Sequence, residues 1–196
     1  EQLTEDFEAS AQGALNVSMT DKAAFQVGRN VATTPGKVVY QNDLMQLIQY
    51  APSTPTVFKR PLLVIPPFIN KYYIMDLREN NSLLKWLVDQ GHTVFVISWV
   101  NPGPALRGKG FDNYLLEGPV EAIDVIESIT GEKDINAIGY CLGGTLLSAT
   151  LSYLKKKRKN RIKSATFLAT LIDFSMPGEI GVFVNETTIA GLEKQM

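Results

Sequence analysis

The chain has 196 residues, with 19 Lys and Arg against 20 Asp and Glu, 45% apolar residues, 20% charged residues, one Cys and one His. This composition excludes a disordered, collagen-like or disulfide-framed polypeptide, and it fits one domain large enough to bury most of its unfolded surface. A net charge of −1 provides no global basic field, so no nucleic-acid partner is expected.

Residues 62–69 form the longest apolar stretch, and Pro66 and Pro67 interrupt it. It is too short for a bilayer, so no membrane span is expected. The opening Glu1-Gln2-Leu3-Thr4-Glu5 has no initiator Met, basic segment or apolar core. No signal peptide is expected, and the chain reads as a piece of a longer one. A lone Cys forms no internal disulfide, which points to the reducing cytoplasm.

In chain order, residues 1–36 are mixed and polar and read as an amphipathic lead-in ending at the Pro35-Gly36 turn. Residues 37–196 read as the main domain. Residues 38–40 and 44–50 are predicted strands flanking an Asn42-Asp43 turn, and 61–65 a strand buried on both faces. Leu83, Leu84, Leu87 and Val88 have helical spacing within 82–90, and Gly91 stops the helix. Residues 93–97 form another strand. Asp112 is expected to cap a helix reaching Ile129, interrupted at Gly118-Pro119 and ended by Gly131. Residues 135–138 are a strand, 145–157 a helix and 165–171 a strand. Strands alternating with helices at this spacing predict an α/β fold: a mostly parallel sheet with helices on both faces. No internal repeat is present.

The stretch richest in chemistry is Gly139-Tyr140-Cys141-Leu142-Gly143-Gly144. It follows a predicted strand and opens a predicted helix, the context of a nucleophile elbow. A nucleophile on so tight a turn needs neighbours nearly free of side chain two positions before and after it, and Gly139 and Gly143 meet that demand, with Gly144 beside them. The turn would lift Cys141 above the carboxyl end of the sheet, where open α/β folds bind ligands. It would also aim the Leu142 N–H and the helix N-terminus at a developing oxyanion. The bland alternative is a small buried Cys beside an ordinary glycine turn.

A wider resemblance follows from these residues together with Pro66-Pro67-Phe68-Ile69-Asn70-Lys71-Tyr72-Tyr73-Ile74-Met75-Asp76-Leu77, Gln90-Gly91-His92-Thr93-Val94-Phe95, Ser98-Trp99-Val100-Asn101-Pro102 and Leu171-Ile172-Asp173-Phe174. From about Thr4 onward the chain resembles the first part of the catalytic domain of polyhydroxyalkanoate synthases. The Cys elbow alone is also similar to dienelactone hydrolases; the Pro-Pro segment separates the two, and Tyr140 is closer to the short-chain synthases.

The resemblance implies an α/β-hydrolase-like fold, truncated before its last strands, and an acyltransferase that polymerises (R)-3-hydroxyacyl groups from coenzyme A thioesters. It assigns the nucleophile to Cys141 and puts the family's Asp and His beyond Met196, so the chain alone is expected to be inactive. Its one His, His92, takes the place of a family His that is not catalytic and is expected to be structural. Asp173 is expected to make a turn or sheet-end hydrogen bond, with a catalytic role the alternative; for Asp76 the expectation is a helix N-cap, the alternative a place near the site opening. The second oxyanion donor is sought in the N–H of Phe68 or Ile69, after the strand ending at Ile65, although Pro66 and Pro67 also serve as strand terminators. Seven of the nine residues 155–163 are basic; a solvated helix end is expected, with coenzyme A phosphates or a charged granule surface as the alternatives. Trp99 and Phe68 are expected in the core or a pocket wall. No cofactor and no metal is expected, coenzyme A being the leaving group. The expected partners are (R)-3-hydroxyacyl-CoA and the polyester chain, with a homodimer for the full-length protein, at the polyester granule surface or elsewhere in the cytoplasm. The competing functions are a dienelactone-type Cys hydrolase and a non-catalytic binding or structural fragment.

Overall fold

In the computed structural model, which describes residues 21–194, a six-stranded sheet runs through the molecule. The first 20 residues of the predicted lead-in lie outside the described residues. Strands β1 (Gly36–Gln41) and β2 (Met45–Tyr50) form the predicted hairpin. Asn42 closes it, its Oδ1 accepting the N–H groups of Leu44 and Met45 at 2.9 Å each. All four residues of β3 (Leu62–Ile65) are buried, as expected of a strand covered on both faces.

A two-stranded ribbon of β4 (Asp76–Arg78) and β5 (Asn81–Ser82) leads into helix α1 (Leu83–Asp89). Ser82 caps that helix, accepting the Lys85 N–H at 2.9 Å. Gly91, at φ 84°, ends it in a Schellman motif: the His92 N–H bonds the Leu87 carbonyl and the Gly91 N–H that of Val88. Strand β6 (Val94–Trp99) follows, then helices α2 (Phe111–Leu115) and α3 (Glu121–Thr130), separated by a kink at Gly118-Pro119. Asp112 sits inside the first turn of α2. The N-cap is Gly110, whose N–H is taken by the Asn113 side chain at 3.0 Å, because the chain turns into the helix two residues earlier than the Asp signal implied.

Strand β7 (Ile135–Tyr140), helix α4 (Leu142–Lys156), strand β8 (Ile162–Leu168) and helix α5 (Glu186–Glu193) complete the described elements. β8 lies about three residues earlier than the predicted 165–171, and α4 begins three residues earlier than predicted. The paired strands end together: Tyr140 stands opposite Leu168, and the backbone leaves the sheet at Cys141, φ 52°, and Ala169, φ 47°.

The strand order is β1-β2-β6-β3-β7-β8; β3, β6, β7 and β8 are mutually parallel, while the hairpin is antiparallel. Alternate strand residues feed two cores. Leu63, Ile65, Phe95 and Ile97 pack with Ile123 and Ile126 of α3 and Leu146 and Leu147 of α4; Leu62, Val64, Val94 and Val96 pack with Leu84, Leu87 and Val88 of α1. Helices therefore cover both faces. Each fully buried Leu or Ile contributes about 1.5–3 kcal/mol relative to exposure. β3 is flanked by β6 on one side and β7 on the other, so the chain reverses its winding there. Such a switch point opens a crevice beyond the carboxyl ends of the strands, the place where open α/β sheets hold ligands. The segments entering it here are those after β3 and β7.

Candidate active site

Cys141 stands between β7 and α4 with φ 52° and ψ −124°, a backbone conformation that residues with a side chain rarely adopt and that costs roughly 1–3 kcal/mol. The surrounding bonds over-determine it. Its N–H donates to the Leu168 carbonyl at 2.9 Å, and its own carbonyl accepts from Gly144 N–H at 2.9 Å and Thr145 N–H at 3.2 Å. Cys141 as a residue is half-buried, not fully buried as the small-hydrophobe alternative has it.

Space explains the three glycines. A Cβ on Gly139 would stand 2.8 Å from the Gly144 nitrogen and 2.9 Å from the Gly143 carbonyl oxygen; one on Gly143 would stand 2.7 Å from the Pro66 carbonyl oxygen; one on Gly144 would stand 2.7 Å from Cγ2 of Thr170. Strand β7, the start of α4, the end of β3 and the loop after β8 thus meet within one side chain's width. The first N–H groups of a helix have no partner within it, and those of Leu142 and Gly143 donate to no other described residue.

The loop after β3 comes to the same place. An Asn70 N–H to Pro67 carbonyl bond of 3.2 Å closes a turn with Phe68 and Ile69 at its corners, and neither of their N–H groups donates to a described residue. The Phe68 ring packs between Trp99 (centroids 6.3 Å apart, edge-on) and Tyr114 (5.0 Å), whereas Ile69 is 68% exposed. The structure therefore brings the elbow that carries Cys141 against the end of β3, from which the 67–70 turn continues.

It sets the other residues apart. His92 precedes β6, and Cys141 follows β7, which runs parallel to it, so the two lie at opposite ends of the sheet, with roughly 20 Å of strand between. His92 packs against the Phe58 ring at 5.0 Å. Asp173 accepts the Ser175 N–H at 2.9 Å in an exposed turn, and that bond holds its carboxyl below the usual range. Asp76 is not the N-cap expected of it. It is buried, and its Oδ1 accepts the hydroxyls of Thr34 and of Ser82, the residue that does cap α1, at 2.6 Å each. The basic run lies at the far end of α4, about 22 Å of helix from the elbow, so it does not border this site. Arg161 there pairs with Asp124 and Glu127, and Lys163 with Asp134.

Sequence reasoning treated Trp99 as wall material and missed its polar role. Its indole Nε1 donates to the Pro66 carbonyl at 2.9 Å in a buried contact. The signal was available: a buried Trp almost always seeks a partner for its N–H. A pocket of about 190 Å³ beside the elbow is lined by Tyr140, Leu168, Ile74, Met75, Asn81 and Leu83. A larger apolar groove of about 520 Å³, between Phe25 and Leu77, contains none of the residues nominated from sequence. Among the described residues no helix is long and apolar enough to cross a membrane.

Comparison with known proteins agrees with this architecture. The family model described as "Poly-beta-hydroxybutyrate polymerase (PhaC) N-terminus" matches residues 1–87, and that of the alpha/beta hydrolase fold matches residues 61–188. The chain is 55% identical over 194 residues to a poly(3-hydroxyalkanoate) polymerase of Methylorubrum extorquens, covering 99% of this chain and 32% of that protein. It is 47% identical over 170 residues to the poly(3-hydroxyalkanoate) polymerase subunit PhaC of Cupriavidus necator, covering 87% and 29%. The chain spans about a third of the length of these curated relatives. A fungal esterase of Rhizomucor miehei shares the fold at a TM-score of 0.53 and 14% identity, over 88% of this chain and 52% of the esterase. The elbow, the switch-point sheet and these matches agree: the chain belongs to the alpha/beta hydrolase fold family, in its poly(3-hydroxyalkanoate) polymerase branch.

Proposed function

We propose that this chain is the nucleophile-bearing part of a polyester synthase that transfers (R)-3-hydroxyacyl groups, short-chain ones such as 3-hydroxybutyryl, from coenzyme A thioesters. The Cys141 thiolate attacks the thioester carbonyl carbon. The oxyanion that forms takes hydrogen bonds from the Leu142 N–H and from Phe68 or Ile69 N–H, and the tetrahedral species collapses as the carbon–sulfur bond to coenzyme A breaks. Coenzyme A leaves as a thiolate and takes up a proton. The hydroxyl of a second 3-hydroxyacyl group, deprotonated by a base, then attacks the Cys141 thioester; the new ester forms as the bond from the acyl carbon to Cys141 Sγ breaks, which frees the thiolate and lengthens the chain by one ester. Thioester exchange between two thiols is nearly balanced, so the enzyme-bound acyl group stays reactive toward the alcohol.

An unassisted thiol is only a few per cent ionised at neutral pH, so the base matters. The one imidazole of these 196 residues, His92, is at the wrong end of the sheet. In this reading the base and its orienting acid come from the polypeptide outside these residues, and the 196-residue chain has no turnover of its own. No redox or metal chemistry enters the scheme. The full-length protein is read as a cytoplasmic homodimer acting at the polyester granule.

The observation that carries the reading is Cys141 at φ 52° on a turn walled by three glycines that tolerate no side chain. The test is Cys141→Ala in a full-length polymerase carrying this stretch, given 3-hydroxybutyryl-CoA. Free thiol release and polymer should both vanish. Retained turnover would refute the nucleophile, and soluble hydroxy acid in place of insoluble polymer from the unmodified enzyme would favour a hydrolase.

A further inference from the structure

We infer that Trp99 is a positioning residue for the oxyanion: through the Pro66 carbonyl it sets the turn that presents the Phe68 and Ile69 N–H groups to the reacting carbonyl. The inference rests on the acyl-transfer reading above and deepens it. The Pro66 carbonyl oxygen, at the start of the loop after β3, is the point where that loop, the end of β6 and the elbow converge. Trp99, the last residue of β6, donates its indole N–H to it at 2.9 Å. From another direction Gly143 of the elbow comes so near that a Cβ there would stand 2.7 Å away. Pro66 and Pro67 have no N–H and fixed φ, so the orientation of this one carbonyl governs the backbone leading to the next N–H groups in the chain, those of Phe68 and Ile69. An oxyanion donor is effective only when it is already aimed before charge develops.

The indole is itself immobilised. It packs on Tyr114 at 5.4 Å and edge-on to Phe68 at 6.3 Å. Gly118, at the kink between α2 and α3, lies against its six-membered ring; a Cβ there would meet Cη2 of the indole at 2.5 Å. The kink thereby clears room for a ring whose one polar atom is spent on Pro66. A second tether acts further along the same loop, where Lys71 Nζ donates to Asn101 Oδ1. The end of β6 and the segment after it therefore grip the segment after β3 at both ends of the turn. This gives the Trp99 and Asn101 stretch a task beyond filling the core.

The test is Trp99→Phe in the full-length polymerase, which keeps an aromatic ring and removes the N–H. The rate of Cys141 acylation by 3-hydroxybutyryl-CoA and the rate of Cys141 alkylation by iodoacetamide are both measured. Alkylation displaces iodide at a saturated carbon and develops no oxyanion. The expected result is a fall in acylation kcat of roughly 10- to 100-fold, with KM and the alkylation rate within about two-fold of the parent. Acylation unchanged within about two-fold would overturn the inference, and so would acylation and alkylation falling together, the mark of a merely structural role. Lys71→Met, at an exposed site, keeps the test open if the Trp99 variant does not fold. It should lower kcat by roughly 3- to 10-fold at constant KM and alkylation rate, and an unchanged kcat would overturn the inference. Cys141→Ala run alongside separates the two claims, since turnover in that variant would refute the underlying nucleophile assignment instead.

Discussion

Gly143 packs against the end of the neighbouring strand so closely that a Cβ on it would stand 2.7 Å from the Pro66 carbonyl oxygen and nearer still to that of Ile65. Both obstacles are backbone, so neither can swing aside. Gly143→Ala is expected to force α4 away from β3 and to destabilise by about 1–3 kcal/mol, read as a lower urea midpoint at unchanged slope. Gly191→Ala in α5, where a Cβ would meet nothing within 4 Å beyond its neighbours and the helix's own backbone, should be neutral or stabilise by up to about 1 kcal/mol. A Gly143→Ala midpoint equal to that of the control would show that the elbow has slack.

Asp76 carries the second expectation. Its buried carboxylate holds the Thr34 and Ser82 hydroxyls, its backbone carbonyl accepts the Ala32 N–H at 2.9 Å, and Ser82 in turn caps α1. Asp76→Ala leaves two hydroxyls without their acceptor and should cost about 2–4 kcal/mol. Ser82→Ala should cost about 1 kcal/mol through the cap. Because the two share a bond, the double variant should lose less than the two single losses combined; strict additivity in urea unfolding would contradict the coupling.

Alkaline stability supplies the third. Tyr50 is 4% exposed, and burial, with the nearby Asp76 and Tyr72 adding to it, pushes its phenol far above the ordinary range. The folded state keeps the neutral form, while the unfolded chain ionises it near pH 10. Its contribution is complete below about pH 10 and is lost progressively above that. Tyr50→Phe keeps the ring, and its urea midpoint should decline less steeply than the parent's between about pH 10 and 12. Parallel declines would mean that Tyr50 does not sense pH in the fold.

The elements legible in the sequence were those whose signals are local. The Asn42 turn, the Gly91 and Gly131 helix stops and the strand predicted over 61–65 depend on residues within a few positions of each other, and each appears within a residue of its expected place. The β4–β5 ribbon and α5 gave no such pattern: the first has two- and three-residue strands, and the second buries no side chain. Asp112 misled because a capping side chain is only one of several ways to begin a helix, and Gly110 with Asn113 supplied another.

The elbow was readable because a strained turn needs small residues at fixed offsets, a demand written along the chain as Gly139, Gly143 and Gly144 around Cys141. What stands across from that turn has no such record. The sheet order β6-β3-β7 brings residues 44 positions apart, Trp99 and Gly143 of the elbow, to a common carbonyl at Pro66 and carries His92 to the opposite end. Sequence by itself determined the strand, the bend and the sulfur; only the tertiary structure decided that the end of β3 stands against the bend and that His92 does not. The reason is that backbone sterics act between neighbours in the chain, whereas a hydrogen bond to a distant carbonyl exists only once the strands have chosen their order.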